Sequence, residues 1–277
     1  MNEGAAIDDN SGGAALNIGW IGLGAIGTQM VLRLLAEGNA LSVFPRGAGL
    51  TQVCEAGASA QADYAKLASG SDLLVACVYD DAQVRSVLLE SGALAAMRPG
   101  SILAVHTTGS PALMRQLGAL APAGVQVIDA TFSGGPADAG AGTLTLMVGG
   151  DEAALERVRG AFECYSTRIF HVGQLGHAQL VKLMNNLLLA TNMMNAVQLL
   201  SMAEGLGFET TTVAQVIQAS SGASFAMRLF ERQPVGTMLE ASRPYLVKDV
   251  AVALAAAEES GIDVGAFAAT AAYFAAG

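Results

Sequence analysis

Short apolar runs punctuate the first part of the chain, at residues 18–21, 41–44, 73–78, 102–105, 125–128 and 143–148. Each has strand rather than helix length. The stretches 28–37, 81–89 and 111–117 between the earlier runs carry apolar residues at helical spacing. Strands alternating with helices predict an α/β fold, a doubly wound and mainly parallel sheet covered on both faces, over residues 17–173. The texture then changes. Residues 174–277 read almost entirely as helix, with breaks at 205–207, 220–222, 243–244 and 260–261, and predict a second, all-helical domain. Its first helix, about 177–203, places Leu183, Leu187, Ala190, Met194 and Val197 on one face. Met184, Met193, Met194 and Met202 read as core filler. Residues 1–16 are polar and acidic and predict a disordered tail.

Composition narrows the function classes. A chain of 277 residues that is 52% hydrophobic has ample material for a packed core. Its net charge of −10 argues against a nucleic-acid binder, which needs basic patches on the phosphates. Local backbone dipoles still permit a small anionic ligand. Cys54, Cys77 and Cys164 form no CxxC pair or Cys/His cluster, and read as free thiols of a reducing compartment. His106, His171 and His177 lack metal-ligand spacing, so no metal is expected. The N-terminus resembles neither a signal nor a transit peptide. Lys182, Asn185 and Asn186 interrupt the longest apolar stretch short of the roughly 18–20 residues that span a bilayer. The expectation is a cytoplasmic protein without membrane or nucleic-acid partners.

Three segments carry candidate chemistry. Gly22-Leu23-Gly24-Ala25-Ile26-Gly27 follows the first predicted strand and opens the first predicted helix. There the glycines permit a tight turn, close approach of a pyrophosphate and close helix–strand packing. At the end of the second strand stands Phe44-Pro45-Arg46-Gly47. No carboxylate is present to hold the ribose hydroxyls, while the Arg46 guanidinium suits a 2′-phosphate, which favours NADP(H) over NAD(H). In the second segment, Lys182 and Asn186 share one helix face among apolar neighbours. A desolvated lysine has a lowered pKa and suits proton exchange with a substrate oxygen, although taken alone the pair reads rather as a surface lysine with helix-capping neighbours. In the third, Ser133-Gly134-Gly135 presents consecutive backbone N–H groups and a hydroxyl, a nest suited to a carboxylate, although by itself it reads equally as a glycine-rich loop with no ligand.

In their order and spacing these segments resemble the β-hydroxyacid dehydrogenase family, which includes 3-hydroxyisobutyrate dehydrogenases and tartronate semialdehyde reductases. The glycine motif appears at 22–27, the substrate motif at 129–150, the lysine motif at 176–186, and a lysine–aspartate pair at Lys248-Asp249. The resemblance implies a Rossmann domain joined to a helical domain that forms homodimers or homotetramers. It implies Lys182 as acid/base with Asn186 as its partner, and Ser133, Gly134 and Gly135 on the substrate carboxylate. Lys248 would serve substrate and nicotinamide, and Gly22, Leu23, Gly24, Ala25, Ile26, Gly27, Val78, Thr107 and Thr108 would line the cofactor. The reaction implied is hydride transfer between a nicotinamide cofactor and a small 3-hydroxy acid or its semialdehyde. The chain departs from the pattern at Thr131 (commonly proline), Asp138 and Ala178 (commonly glycine), and it ends before the segment that closes most relatives. An acid at 138 disfavours a dicarboxylate. A 6-phosphogluconate dehydrogenase would carry His-Asn where Asn185-Asn186 stands, and a short-chain dehydrogenase would need Tyr-x-x-x-Lys. The alternatives kept are an imine reductase or other carbonyl reductase of the same fold, and a dinucleotide-binding sensor or scaffold without turnover.

Overall fold

Strands β1 (Asn17–Ile21), β4 (Leu73–Ala76) and β5 (Ile102–Val105) are almost wholly buried apolar runs, the signature of parallel strands covered on both faces. The computed structural model describes residues 16–231, 235–259 and 261–275. With β2 (Ala40–Val43), β3 (Ser59–Ala60), β6 (Gln126–Ser133), β7 (Leu144–Gly149) and β8 (Ser166–Gly173), these strands form one sheet in the order β3-β2-β1-β4-β5-β6-β7-β8. Alternate side chains feed two cores. Ile102 and Ala104 join Trp20, Val75 and Phe162 on one face, while Leu103 and Val105 join Ile21, Leu74 and Leu113 on the other.

The sheet is parallel except where β7 runs antiparallel to β6. The chain winds from β1 outward through β2 and β3, then returns to place β4 on the other side of β1. That reversal opens a crevice beyond the carboxyl ends of β1 and β4, where doubly wound sheets bind ligands.

Several elements differ from the sequence expectation. The run at 125–128 is only the start of β6, which continues to Ser133 because Asp129–Ser133 pairs with Thr145–Gly149. Strand β8 has a mostly exposed pattern, with Phe170 54% exposed, so no apolar run announces it. The helix expected at 81–89 is α-helical only over Asp81–Arg85 and widens into a π turn over Ser86–Glu90. No break occurs at 243–244. The helix Val235–Glu259 passes through both residues, packed against the helix His177–Gly205, and tertiary packing overrides the proline's poor helix propensity. Met193 and Met194 are buried as expected, but Met184 and Met202 are each 60% exposed and fill no core of this chain.

Beyond β8 the described residues are helical: His177–Gly205, Thr210–Gln218, Phe225–Leu229, Val235–Glu259 and Phe267–Ala275. They share a third core around Leu187, Met193, Leu200, Phe230 and Val250. The first of them, hereafter the lysine helix, also packs on β6 and β7 and so belongs to both halves. The tail expected at 1–16 lies outside the described residues except for Leu16. Among the described residues no helix is long and apolar enough to cross a membrane.

Candidate active site

The glycine turn sits at the crevice, and its three glycines face different neighbours. Gly22 has φ 110°, and a Cβ there would meet the Cys77 carbonyl oxygen at 2.0 Å, while Trp20 Nε1 donates to the Gly22 carbonyl at 2.9 Å. A Cβ at Gly27 would strike that same carbonyl at 2.3 Å, so this glycine lets helix Ala25–Ala36 lie against the turn. Gly24 is different. It caps that helix without a side-chain bond, and a Cβ there would meet nothing within 4 Å. Open space before free helix N-terminal N–H groups fits a pyrophosphate, and the residues present therefore suit a dinucleotide.

A cleft of about 950 Å³ runs from this turn to the lysine helix. Gly22, Leu23, Gly24, Ala25, Ile26, Gly27, Arg46, Val78, Thr107, Thr108, Gly134, Lys182, Asn186 and Lys248 all line it, which brings together most of the residues picked out by sequence. Ser133 and Gly135 are not among its lining residues. At the β2 end Arg46 is exposed beside Tyr64, whose ring stacks on Phe44 with centroids 3.6 Å apart. Tyr64 was not foreseen, because it comes from a helix after β3.

At the other end a polar network joins two helices. The Asn186 amide donates to Asp249 Oδ2 at 2.5 Å and accepts from Asn185 at 3.0 Å. Asp249 is 5% exposed, and its second oxygen lies 3.3 Å from Lys248 Nζ, close enough for ion pairing but without hydrogen-bond geometry. Lys248 Nζ donates instead to the carbonyls of Tyr79 at 3.1 Å and Thr108 at 3.0 Å. Asn186 thus bonds the aspartate, and Lys248 ties the helix Val235–Glu259 to the loops after β4 and β5.

Lys182 keeps partial exposure to the cleft, yet its pKa falls to about 8. Burial is the main cause, the Lys248 charge adds to it, and the Asp249 carboxylate opposes both. Nearby His106 is held neutral, its pKa pushed down to about 4 by burial, and its ring bonds Tyr165 Oη and the Ala130 carbonyl. The Cys77 thiol is pushed up to about 12 by burial, which leaves it inert.

The Ser133-Gly134-Gly135 turn departs from a free nest. Asp138 Oδ2 accepts the Gly135 N–H at 2.7 Å, so that donor is already engaged, and Gly134 alone of the three reaches the cleft. The two other departures from the family pattern meet each other: Thr131 Oγ1 donates to the Ala178 carbonyl at 3.1 Å. Asp129, wholly buried on β6, accepts from the N–H groups of Gly176 at 2.7 Å and Gln179 at 2.9 Å, which caps the lysine helix. Burial raises the Asp129 pKa against those two bonds. Among the described residues no group of three His, Cys, Asp or Glu side chains is placed to hold a metal.

Known proteins resemble this chain in sequence and in fold. Residues 17–173 match the family model described as the NAD-binding domain of 6-phosphogluconate dehydrogenase. Residues 176–277 match that described as the NAD-binding part of NADP-dependent 3-hydroxyisobutyrate dehydrogenase. A Pseudomonas aeruginosa NAD-dependent L-serine dehydrogenase is 35% identical over 88% of this chain and 86% of its own. The mitochondrial 3-hydroxyisobutyrate dehydrogenase of Drosophila melanogaster is 32% identical over 92% of this chain and 83% of its own. The solved 3-hydroxyisobutyrate dehydrogenase of Mycobacterium tuberculosis with L-serine superposes with a TM-score of 0.82 at 26% identity, over 94% of this chain and 92% of that one. With its glycine turn, its lysine helix and both halves matched, the chain belongs to the β-hydroxyacid dehydrogenase family and is an NAD(P)-dependent oxidoreductase acting on CH–OH groups.

Proposed function

We propose that the chain interconverts a small 3-hydroxy acid and its semialdehyde, with Lys182 as the acid/base and NADP(H) as the preferred cofactor. The observation that carries this reading is a lysine of lowered pKa in the same cleft as an unobstructed glycine turn. L-serine, acted on by one relative and bound in another's structure, is itself a 3-hydroxy acid and a natural first substrate to try.

In oxidation, neutral Lys182 removes the hydroxyl proton of the substrate; in reduction, protonated Lys182 polarises the carbonyl and returns that proton. When bound, the nicotinamide supplies or accepts the hydride. Gly134, with Ser133 and Gly135 behind it, forms the side of the cleft assigned to the substrate carboxylate. Asn186 acts through Asp249, holding its carboxylate where it supports the charge on Lys182. Gly22, Leu23, Gly24, Ala25, Ile26 and Gly27, which line the cleft, would hold the cofactor phosphates, Val78, Thr107 and Thr108 its nicotinamide ribose, and Arg46 a 2′-phosphate. Assembly as a homodimer or homotetramer through the helices and a cytoplasmic setting complete the proposal. The exposed apolar residues of the lysine helix support the first, and three free thiols the second.

The test is oxidation of L-serine and of 3-hydroxyisobutyrate with NAD⁺ and with NADP⁺. Lys182→Ala should lower turnover by about 10²-fold or more while nucleotide binding persists. Arg46→Asp should shift the cofactor ratio toward NAD⁺. Full activity in Lys182→Ala refutes the acid/base role, and an unchanged cofactor ratio in Arg46→Asp reduces that residue to a surface arginine.

A further inference from the structure

Gln179 is fully buried, one helical turn before Lys182, and no part of the chemistry above uses it. Its side-chain amide is doubly satisfied. Nε2 donates to the Thr107 carbonyl at 2.8 Å, and Oε1 accepts the Gly109 N–H at 2.8 Å. These two backbone groups bracket Thr108, so the glutamine pairs with the loop as a strand would. The opposite amide orientation would set donor against donor and acceptor against acceptor.

The rest of this loop is held as well. Thr107 Oγ1 accepts from the Val78 N–H at 3.0 Å, and the Thr108 carbonyl accepts from Lys248. The Gln179 N–H is in turn fixed by Asp129 on β6. Glutamine loses more rotamer entropy on burial than most side chains, and an amide left unpaired in such a site costs a full desolvation penalty. A leucine of similar size would fill the space, so packing alone does not call for an amide.

We infer that Gln179 is a positioning residue that fixes the spacing between Lys182 and the Thr107–Thr108 loop, and so the register between the acid/base and the nicotinamide side of the cleft. The inference rests on the functional reading above and adds a specificity of distance to it. Lys182 lies on the face of the same helix turn, about 4.5 Å further along the axis at 1.5 Å per residue. Because the clamp grips backbone rather than side chain, it sets the loop's position whatever Thr107 and Thr108 themselves contact.

The experiment compares wild type, Lys182→Ala, Gln179→Leu and Gln179→Glu in L-serine and 3-hydroxyisobutyrate oxidation. NADPH titration and amide hydrogen exchange are run alongside. For Gln179→Leu, kcat should fall about 10- to 100-fold, as misplacement on the ångström scale does. The KM for substrate should stay within about twofold, and the dissociation constant for NADPH should rise by far less than kcat falls, since the glycine turn and the Ser133–Gly135 turn keep their own supports. Exchange at the Gly109 amide should quicken while β1 and β4 remain protected. In Gln179→Glu the carboxylate can accept from Gly109 but cannot donate to Thr107 until it is protonated. Its activity relative to wild type should therefore rise as pH falls, a chemical rescue that loss of packing would not produce. Wild-type kcat in Gln179→Leu, or a flat pH ratio in Gln179→Glu, overturns the positioning role while leaving the function intact. A wild-type chain inert toward both substrates, or a fully active Lys182→Ala, overturns the functional reading and this role with it.

Discussion

Beyond burial, two charged neighbours pull the pKa of Lys182 in opposite directions, and this makes the assignment testable at single residues. Lys248 lowers its pKa and Asp249 raises it, on top of the dominant effect of burial. In oxidation the base form is required, so the rate should climb with pH and level off above about 8. Asp249→Asn removes the opposing carboxylate and should move that midpoint down; Lys248→Met removes a like charge and should move it up. Opposite displacements in the pH–rate profiles would tie the midpoint to Lys182, and a midpoint indifferent to both would assign it elsewhere. Asp138 invites a second test at this scale, because its carboxylate occupies the Gly135 N–H beside the substrate turn. Asp138→Asn keeps an acceptor for that N–H but deletes the negative charge. The KM for a carboxylate substrate should fall by about 2- to 5-fold, the scale of one exposed charge interaction, and the difference should shrink in high salt. An unaltered KM would mean that the Asp138 charge is turned away from the substrate.

Among the elements, the strand–turn–helix at the glycines carries the most separable prediction. Gly22→Ala must place a Cβ 2.0 Å from the Cys77 carbonyl at φ 110°, so it should lower the melting temperature whether or not nucleotide is present. Gly24→Ala meets nothing within 4 Å and needs no unusual φ. It should melt like wild type yet bind NADPH at least about tenfold more weakly, because the methyl occupies the phosphate approach. Equal nucleotide affinity in Gly24→Ala would displace the phosphates from this turn. The same contrast explains what could be read before the structure. The glycine turn and the Lys182–Asn186 pair are local: their meaning lies in spacings of a few residues on one strand–turn–helix or one helix face. Strand β8 is hidden because an edge strand with a mixed surface has no apolar run, and its pairing with β7 is decided by tertiary contact. The Asn186–Asp249 bond spans 63 residues and the Gln179–Thr107 bond spans 72, so neither partner is visible from the other's neighbourhood. Likewise the capture of the Gly135 N–H by Asp138 turns on loop geometry, which residue types alone leave open.

At the level of the whole molecule, the lysine helix lines the cleft on one side and carries exposed apolar side chains on the other. Its inner face packs on β6, β7 and the helical core, and Lys182 and Asn186 open onto the cleft. Its outer face carries Leu180, Met184 and Leu188, which are 36%, 60% and 52% exposed and lie a turn apart from one another. A ladder of large apolar side chains on a long helix is costly to leave in water, at roughly 25 cal/mol per Å² of apolar surface. A second copy of the chain would cover it most economically, since one symmetric patch would then bury both ladders. The predicted consequence is a particle of at least twice the 28.1 kDa chain mass by size-exclusion chromatography with light scattering. The double substitution Met184→Lys with Leu188→Lys should shift it to the monomer, while NADPH binding at the glycine turn survives. A wild-type monomer at tens of micromolar would remove self-association as the reason for the ladder. If instead the double variant stays dimeric, the contact runs through other helices. If it becomes monomeric and also loses turnover with its nucleotide affinity intact, then assembly holds the lysine helix in register, and the acid/base group is positioned partly by the partner.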